Sequence, residues 1–109
     1  MYETFSEDPH TVGVMGAAVI EGIQNYTHDG LRAAACAKHF IAYSATSTGQ
    51  DQSPVLLDKR DVMNYYLTPY RHAVAAGVRT FMESYQEISG VPMVSSKEYL
   101  KVVRVCVRV

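Results

Sequence analysis

Lys38 and His39 are the residues best placed to do chemistry, because they stand side by side in the short apolar run Cys36-Ala37-Lys38-His39-Phe40-Ile41-Ala42-Tyr43. That run reads as a strand, and it opens into the polar loop Ser44–Pro54. In a parallel α/β sheet ligands are met at the loops that follow the strands, so this pair marks a candidate binding site. An ammonium offers three donors, and an imidazole one donor and one acceptor. Lys38 could alternatively form a Schiff base, which would require an apolar pocket or a nearby cation to lower its pKa. The other titratable residues suggest less. Glu7, Asp8 and Glu83 read as a helix cap and solvated carboxylates, and Asp51, Asp58 and Asp61 as loop and helix-start charges suited to the dipole. His10, His28 and His72 have no Cys or carboxylate partners at metal-ligand spacing.

The elements that must position the pair follow from the pattern on either side. Asp8-Pro9 starts a helix, with Asp8 as cap and Pro9 at the first helical position. Val12, Met15, Val19, Ile20 and Ile23 give it one apolar face, and Gly13, Gly16 and Gly22 allow close approach to a neighbour. Asn25–Gly30 is a polar turn, and a strand from about Ala33 to Tyr43 follows. Asp58 begins a second helix with Val62, Tyr65, Tyr66, Leu67, Tyr70 and Val74 on its buried side; Pro69 should kink or break it, and Gly77 ends it. Val78–Tyr85 is a second strand, Ser89–Pro92 a turn, and Ser95 or Ser96 caps a third helix through Tyr99, Leu100 and Val103. The tail from Val102 to Val109 alternates like an edge strand. The order helix, strand, helix, strand, helix predicts an α/β fold with parallel strands. Two strands make no sheet with both faces covered, so the chain reads as part of a larger α/β layer or eight-fold barrel.

Composition narrows the function classes. The chain has 109 residues, 48% hydrophobic and 19% charged, a globular balance rather than a disordered one. A net charge of −1 leaves no basic footprint for nucleic acid and no polybasic membrane patch. No apolar run is long enough to span a bilayer, and Met1–Phe5 lacks the charged start of an export signal. Cys36 and Cys106 make no disulfide framework; Cys36, in a strand-like run, reads as a buried free thiol. Asn25-Tyr26-Thr27 matches a glycosylation triplet, a pattern that is frequent by chance.

Five segments then carry a family likeness. Tyr2-Glu3-Thr4-Phe5-Ser6-Glu7-Asp8-Pro9, Gly22-Ile23-Gln24, Lys38-His39-Phe40, Tyr66-Leu67-Thr68-Pro69-Tyr70, and Met82-Glu83-Ser84-Tyr85 with Gly90-Val91-Pro92 stand in register over residues 2 to 101. In this the chain resembles glycoside hydrolase family 3, the β-glucosidase family. The resemblance implies that residues 1–109 are an internal slice of that family's N-terminal (β/α)8 TIM-type barrel, with a tail over 102–109 that departs from the family pattern. It also implies retaining hydrolysis of β-linked glycosides, a small carbohydrate as substrate, no cofactor, and barrel segments elsewhere in a parent chain as structural partners. Extracellular or periplasmic location follows from the same resemblance.

Residue by residue, the resemblance implies that Lys38 and His39 hydrogen-bond hydroxyls of the sugar beside the scissile bond, and that Tyr85 lies near the catalytic carboxylate. Met82 is a matched strand residue whose role is open. A tyrosine, combining a ring with a hydroxyl, suits a sugar as the Lys-His pair does. The aspartate nucleophile and the acid/base of a retaining enzyme are assigned to no residue of this sequence, so the chain is expected to be inactive alone. Gln52 stands where many relatives have a basic residue, and Glu83 where a small or apolar one is usual. A non-catalytic product that at most binds sugar or a partner is the alternative.

Overall fold

The computed structural model describes residues 4–106. Helix α1 (Pro9–Asn25) begins as the sequence dictates: the Asp8 carboxylate accepts from the His10 and Thr11 amides at 3.3 and 2.9 Å and from Thr11 Oγ1 at 2.5 Å. A tight hairpin of β1 (Thr27–His28) and β2 (Leu31–Arg32) follows. Its two-residue turn puts Asp29 at φ 51° and Gly30 at φ 76°, the twist that joins antiparallel strands. Strand β3 (Cys36–Phe40) is shorter than the run from Ala33 to Tyr43 suggests, because Ala42 turns left-handed at φ 65° and Tyr43–Ala45 tightens into a 3₁₀ turn.

The crossover is in three pieces. Asp58 caps α2 (Lys59–Asp61), Val62–Tyr66 is a π-helical turn closed by Leu67 N–H on the Val62 carbonyl at 2.9 Å, and α3 is Thr68–Ala75. The break falls where Pro69 is expected to make one, since proline is at home in a first helical turn. The wide turn shifts the helical phase, which corrects one reading: Val62 and Leu67 are buried, but Tyr65 is 45% exposed. Gly77, at φ 75°, ends the segment.

Strand β4 (Thr80–Glu83) pairs parallel with β3, Cys36 opposite Thr80, Ala37 opposite Phe81 and Phe40 opposite Glu83, with a register irregularity between Ala37 and Phe40. A second hairpin, β5 (Glu87–Ile88) and β6 (Val91–Pro92), precedes α4 (Lys97–Cys106), whose Tyr99 amide is capped by the Ser96 hydroxyl. The chain is thus α/β, and its described residues form one parallel strand pair and two short antiparallel hairpins.

Two apolar clusters hold these elements. The larger joins Phe40, Ile41, Val55, Val62, Leu67, Ile88 and Met93; the smaller joins Ile20, Ala35, Ala73 and Val78 between α1, α3 and the strand starts. Gln24 ties the smaller one together: its Nε2 donates to the Gly77 carbonyl at 2.8 Å, and its Oε1 accepts from the Ala35 and Arg79 amides at 3.3 and 3.1 Å. One amide therefore satisfies backbone groups beside the starts of both parallel strands.

Three further readings are corrected. Of the three glycines of α1 only Gly13 is in close contact, against His72, while Gly16 and Gly22 have no neighbour within 4 Å of where a Cβ would be. Cys36 is exposed rather than buried, on β3, whose outer edge pairs with no strand among the described residues. Val102–Cys106 is helical, because the Ser96 cap starts a helix that carries Tyr99 and Val102 onto the core one turn apart; an alternating pattern cannot compete with that packing. The rest of that expectation, for 107–109, lies outside the described residues.

Candidate functional site

A cleft of about 920 Å³ runs along the edge of β3 that does not pair with β4. Its walls are the segment before α1 (Thr4–Glu7), the α1 face with Val12, Gly16, Val19 and Ile23, and Tyr65, Tyr66, Pro69 and Tyr70 of the crossover. Its floor is 35–39, and Ala42, Tyr43 and Ser44 close one end. Lys38 and His39 both line it, Lys38 exposed and His39 half-buried.

The local fold explains this display. Ala37 and Phe81, opposite each other in the parallel pair, pack against the α1–α3 cluster, and the register irregularity between Ala37 and Phe40 falls at Lys38 and His39. Phe40 anchors the end of β3: it is 2% exposed and meets Tyr70 edge-on at 4.9 Å and Phe81 at 6.1 Å between ring centroids. His39 lies against Tyr43, ring centroids 4.5 Å apart. The Lys38–His39 and Phe40–Ile41 peptide bonds are both cis. On the opposite wall the Tyr65 hydroxyl donates to the Glu7 carbonyl, fastening the segment before α1 to the crossover.

Burial pushes the Tyr70 phenol far above its usual range, and burial with the Tyr65 ring beside it raises Tyr66. The cleft therefore presents neutral phenols beside one ammonium and one imidazole. Glu7 is the one carboxylate residue that lines it among the described residues.

Tyr85 and Met82 are placed differently. Both sit at the C-terminal end of β4, the same end of the parallel pair as Lys38 and His39, but neither lines the cleft; Tyr85 is 66% exposed and Met82 half-buried. Glu83 is half-buried opposite Phe40, and Gln52 is exposed in the loop. The sequence reading missed Tyr43 and Tyr65 as site residues. Tyr43 had a signal in the strand end that carries His39; Tyr65 had none, since its placement depends on the π-helical turn. Among the described residues no group of three or more His, Cys, Asp or Glu could hold a metal, and no helix is long and apolar enough to cross a membrane.

The model of the glycosyl hydrolase family 3 N terminal domain matches residues 1–105. The chain is 38% identical over 107 residues to a lysosomal beta glucosidase of Dictyostelium discoideum, covering 92% of this chain and 13% of that protein. It is 28% identical over 100 residues to a periplasmic beta-glucosidase of Salmonella typhimurium, covering 91% and 13% respectively. Among solved structures, a beta-glucosidase from Listeria innocua in complex with gluconolactone superposes with a TM-score of 0.86 at 30% identity, over 94% of this chain and 15% of that one. The chain thus spans roughly an eighth of the length of the relatives it matches. A family match over nearly every residue, joined to that identity and shared backbone, leads to one conclusion: the chain belongs to glycosyl hydrolase family 3, within its N-terminal domain.

Proposed function

We propose that residues 1–109 form a slice of a (β/α)8 barrel and supply the sugar-binding side of a retaining β-glycoside hydrolase site. The observation that carries this reading is the placement of Lys38 and His39 together on one cleft at the C-terminal end of a parallel strand, the end at which such barrels bind ligands. The ammonium would donate to vicinal hydroxyls, and the imidazole would donate to one and accept from another. Tyr43, stacked on His39, offers a face to the apolar side of a pyranose. Met82 and Tyr85, at the same end of the parallel pair but not lining the cleft, are proposed to contact the sugar only where parent-chain segments complete the site.

A retaining displacement needs two carboxyl groups about 5 Å apart. Among the described residues the cleft brings only Glu7 to its wall as a carboxylate, and the nucleophile and the acid/base are proposed to come from parent-chain segments outside this sequence. Those segments are also the proposed structural partners, and an extracellular or periplasmic setting the proposed location, supported by the periplasmic relative.

Saturation-transfer NMR with D-glucose tests the reading. The chain is expected to transfer saturation to glucose ring protons and Lys38→Ala to abolish the transfer, while neither form turns over an aryl β-glucoside. Equal transfer from both forms would refute the assignment of Lys38. Turnover abolished by Lys38→Ala would show that the chain holds a complete site.

A further inference from the structure

We infer that Ser84 and Gln86 act as positioning residues that clamp the corner presenting Lys38 and His39, a role that rests on the sugar-binding reading above. β3 does not run straight into its loop. Ala42, 3% exposed, sits at φ 65° and ψ 26°, a region that a residue with a Cβ occupies only where its surroundings impose it. The imposing contacts come from the segment after β4. Ser84 N–H donates to the Phe40 carbonyl at 2.6 Å, and the next carbonyl, that of Ile41, accepts from both Ser84 Oγ at 3.1 Å and Gln86 Nε2 at 3.3 Å. Two donors use both lone pairs of that carbonyl.

These groups are sealed from water, with Phe40, Ile41, Ser84 and Gln86 each 0–2% exposed. Gln86 Oε1 is buried with no hydrogen-bond partner among the described residues. An apolar side chain of the same size would avoid that unfilled acceptor, so the amide brings a cost that its donor end must offset. What the donor end secures is the direction of the Ile41 carbonyl. That direction sets the left-handed Ala42, and Ala42 brings Tyr43 back over the His39 ring at 4.5 Å. Once released, Ala42 relaxes toward ordinary backbone, and the two rings part.

NMR on the 109-residue chain tests this with Ser84→Ala, Gln86→Met and the double variant. The readouts without sugar are the HN–Hα coupling of Ala42, which reports φ, and the ring-current shift of the His39 ring protons. Both should move part-way in each single variant and fully in the double variant, while the amide protection of α1 stays as in the parent. The Kd for D-glucose should rise about tenfold in the double variant, the scale expected when a binding group is displaced by a fraction of an ångström. Should the double variant fail to fold, the singles, each keeping one donor, carry the same readout. Unchanged Ala42 and His39 signals in the variants, or signals that move only as α1 protection is lost, would overturn the clamp. An unmodified chain that binds no glucose while the corner signals respond as described would overturn the sugar reading and leave the clamp standing.

Discussion

Asp8 is the residue whose sequence signal translates most directly into chemistry. Its carboxylate accepts from the Thr11 hydroxyl and from two first-turn amides, and the hydroxyl bond, followed by the Thr11 amide bond, holds its pKa below the usual carboxylate range. A depressed folded-state pKa means a contribution that is present above the unfolded value near 3.9 and lost as pH falls through the folded one. The Thr11 amide should therefore lose protection against hydrogen exchange as pH drops below about 4, whereas Asp8→Asn, which caps without titrating, should remove that pH dependence. The same acid loss in both proteins would mean that the cap is not its source. Lys38 and His39 were legible as an adjacent pair at a strand end, but residue type alone also fits a snorkelling lysine and a satisfied histidine, and it was the family resemblance that pointed them at a sugar. Tyr65 was not legible, because helical spacing counted it as core until a π-helical turn rotated it onto the cleft wall.

At the scale of elements, α1 and α3 form the main helix contact, and Gly13 lies in it against His72. A Cβ at Gly13 would lie 2.5 Å from His72 Cδ2 and 2.7 Å from Cγ, atoms too near the backbone to swing clear. Gly13→Ala should cost about 1–3 kcal/mol through overpacking. Gly16 and Gly22 face open space, so Gly16→Ala or Gly22→Ala should stabilise by roughly 0.5–1 kcal/mol by raising helix propensity. Urea denaturation compares them, and a Gly13→Ala protein as stable as the parent would remove the close approach from the fold. Periodicity showed where the helices lie but not which glycine touches a neighbour, since contact is a tertiary property. The two hairpins were invisible as strands for a similar reason: at two residues each they carry no period, and only Asp29-Gly30 and Ser89-Gly90 signal the turns. The Val102–Cys106 pattern misled because alternation and helix were both open to it until the cap decided.

For the whole molecule, apolar side chains stand exposed on and beside the cleft that holds Lys38 and His39, with Phe5, Val19 and Ile23 lining it. Phe5, Val14, Met15, Val19 and Ile23 are 40–50% exposed, and β3 keeps one edge without a strand partner among the described residues. Apolar faces and open strand edges drive association, so the isolated chain should self-associate as concentration rises, with sedimentation velocity showing species larger than a monomer. A single monomeric species with a cooperative melt would mean that this face is better protected than its exposure indicates. The α/β character was legible because helix-period and strand-like runs alternate along the chain. The extent of the open face was not, since apolar positions look alike in sequence whether or not something covers them.

The central claim is that an ammonium and an imidazole at the end of β3 meet the hydroxyls of a single sugar ring. The most direct measurement is a residue-by-residue NMR map of the labelled chain titrated with D-glucose. The expected result is saturable shifts concentrated on Lys38, His39 and Tyr43, with a Kd no tighter than about 1 mM for a site lacking its other walls. Saturable shifts centred elsewhere, or an unmoved Lys38–His39 pair at saturating glucose, would contradict it.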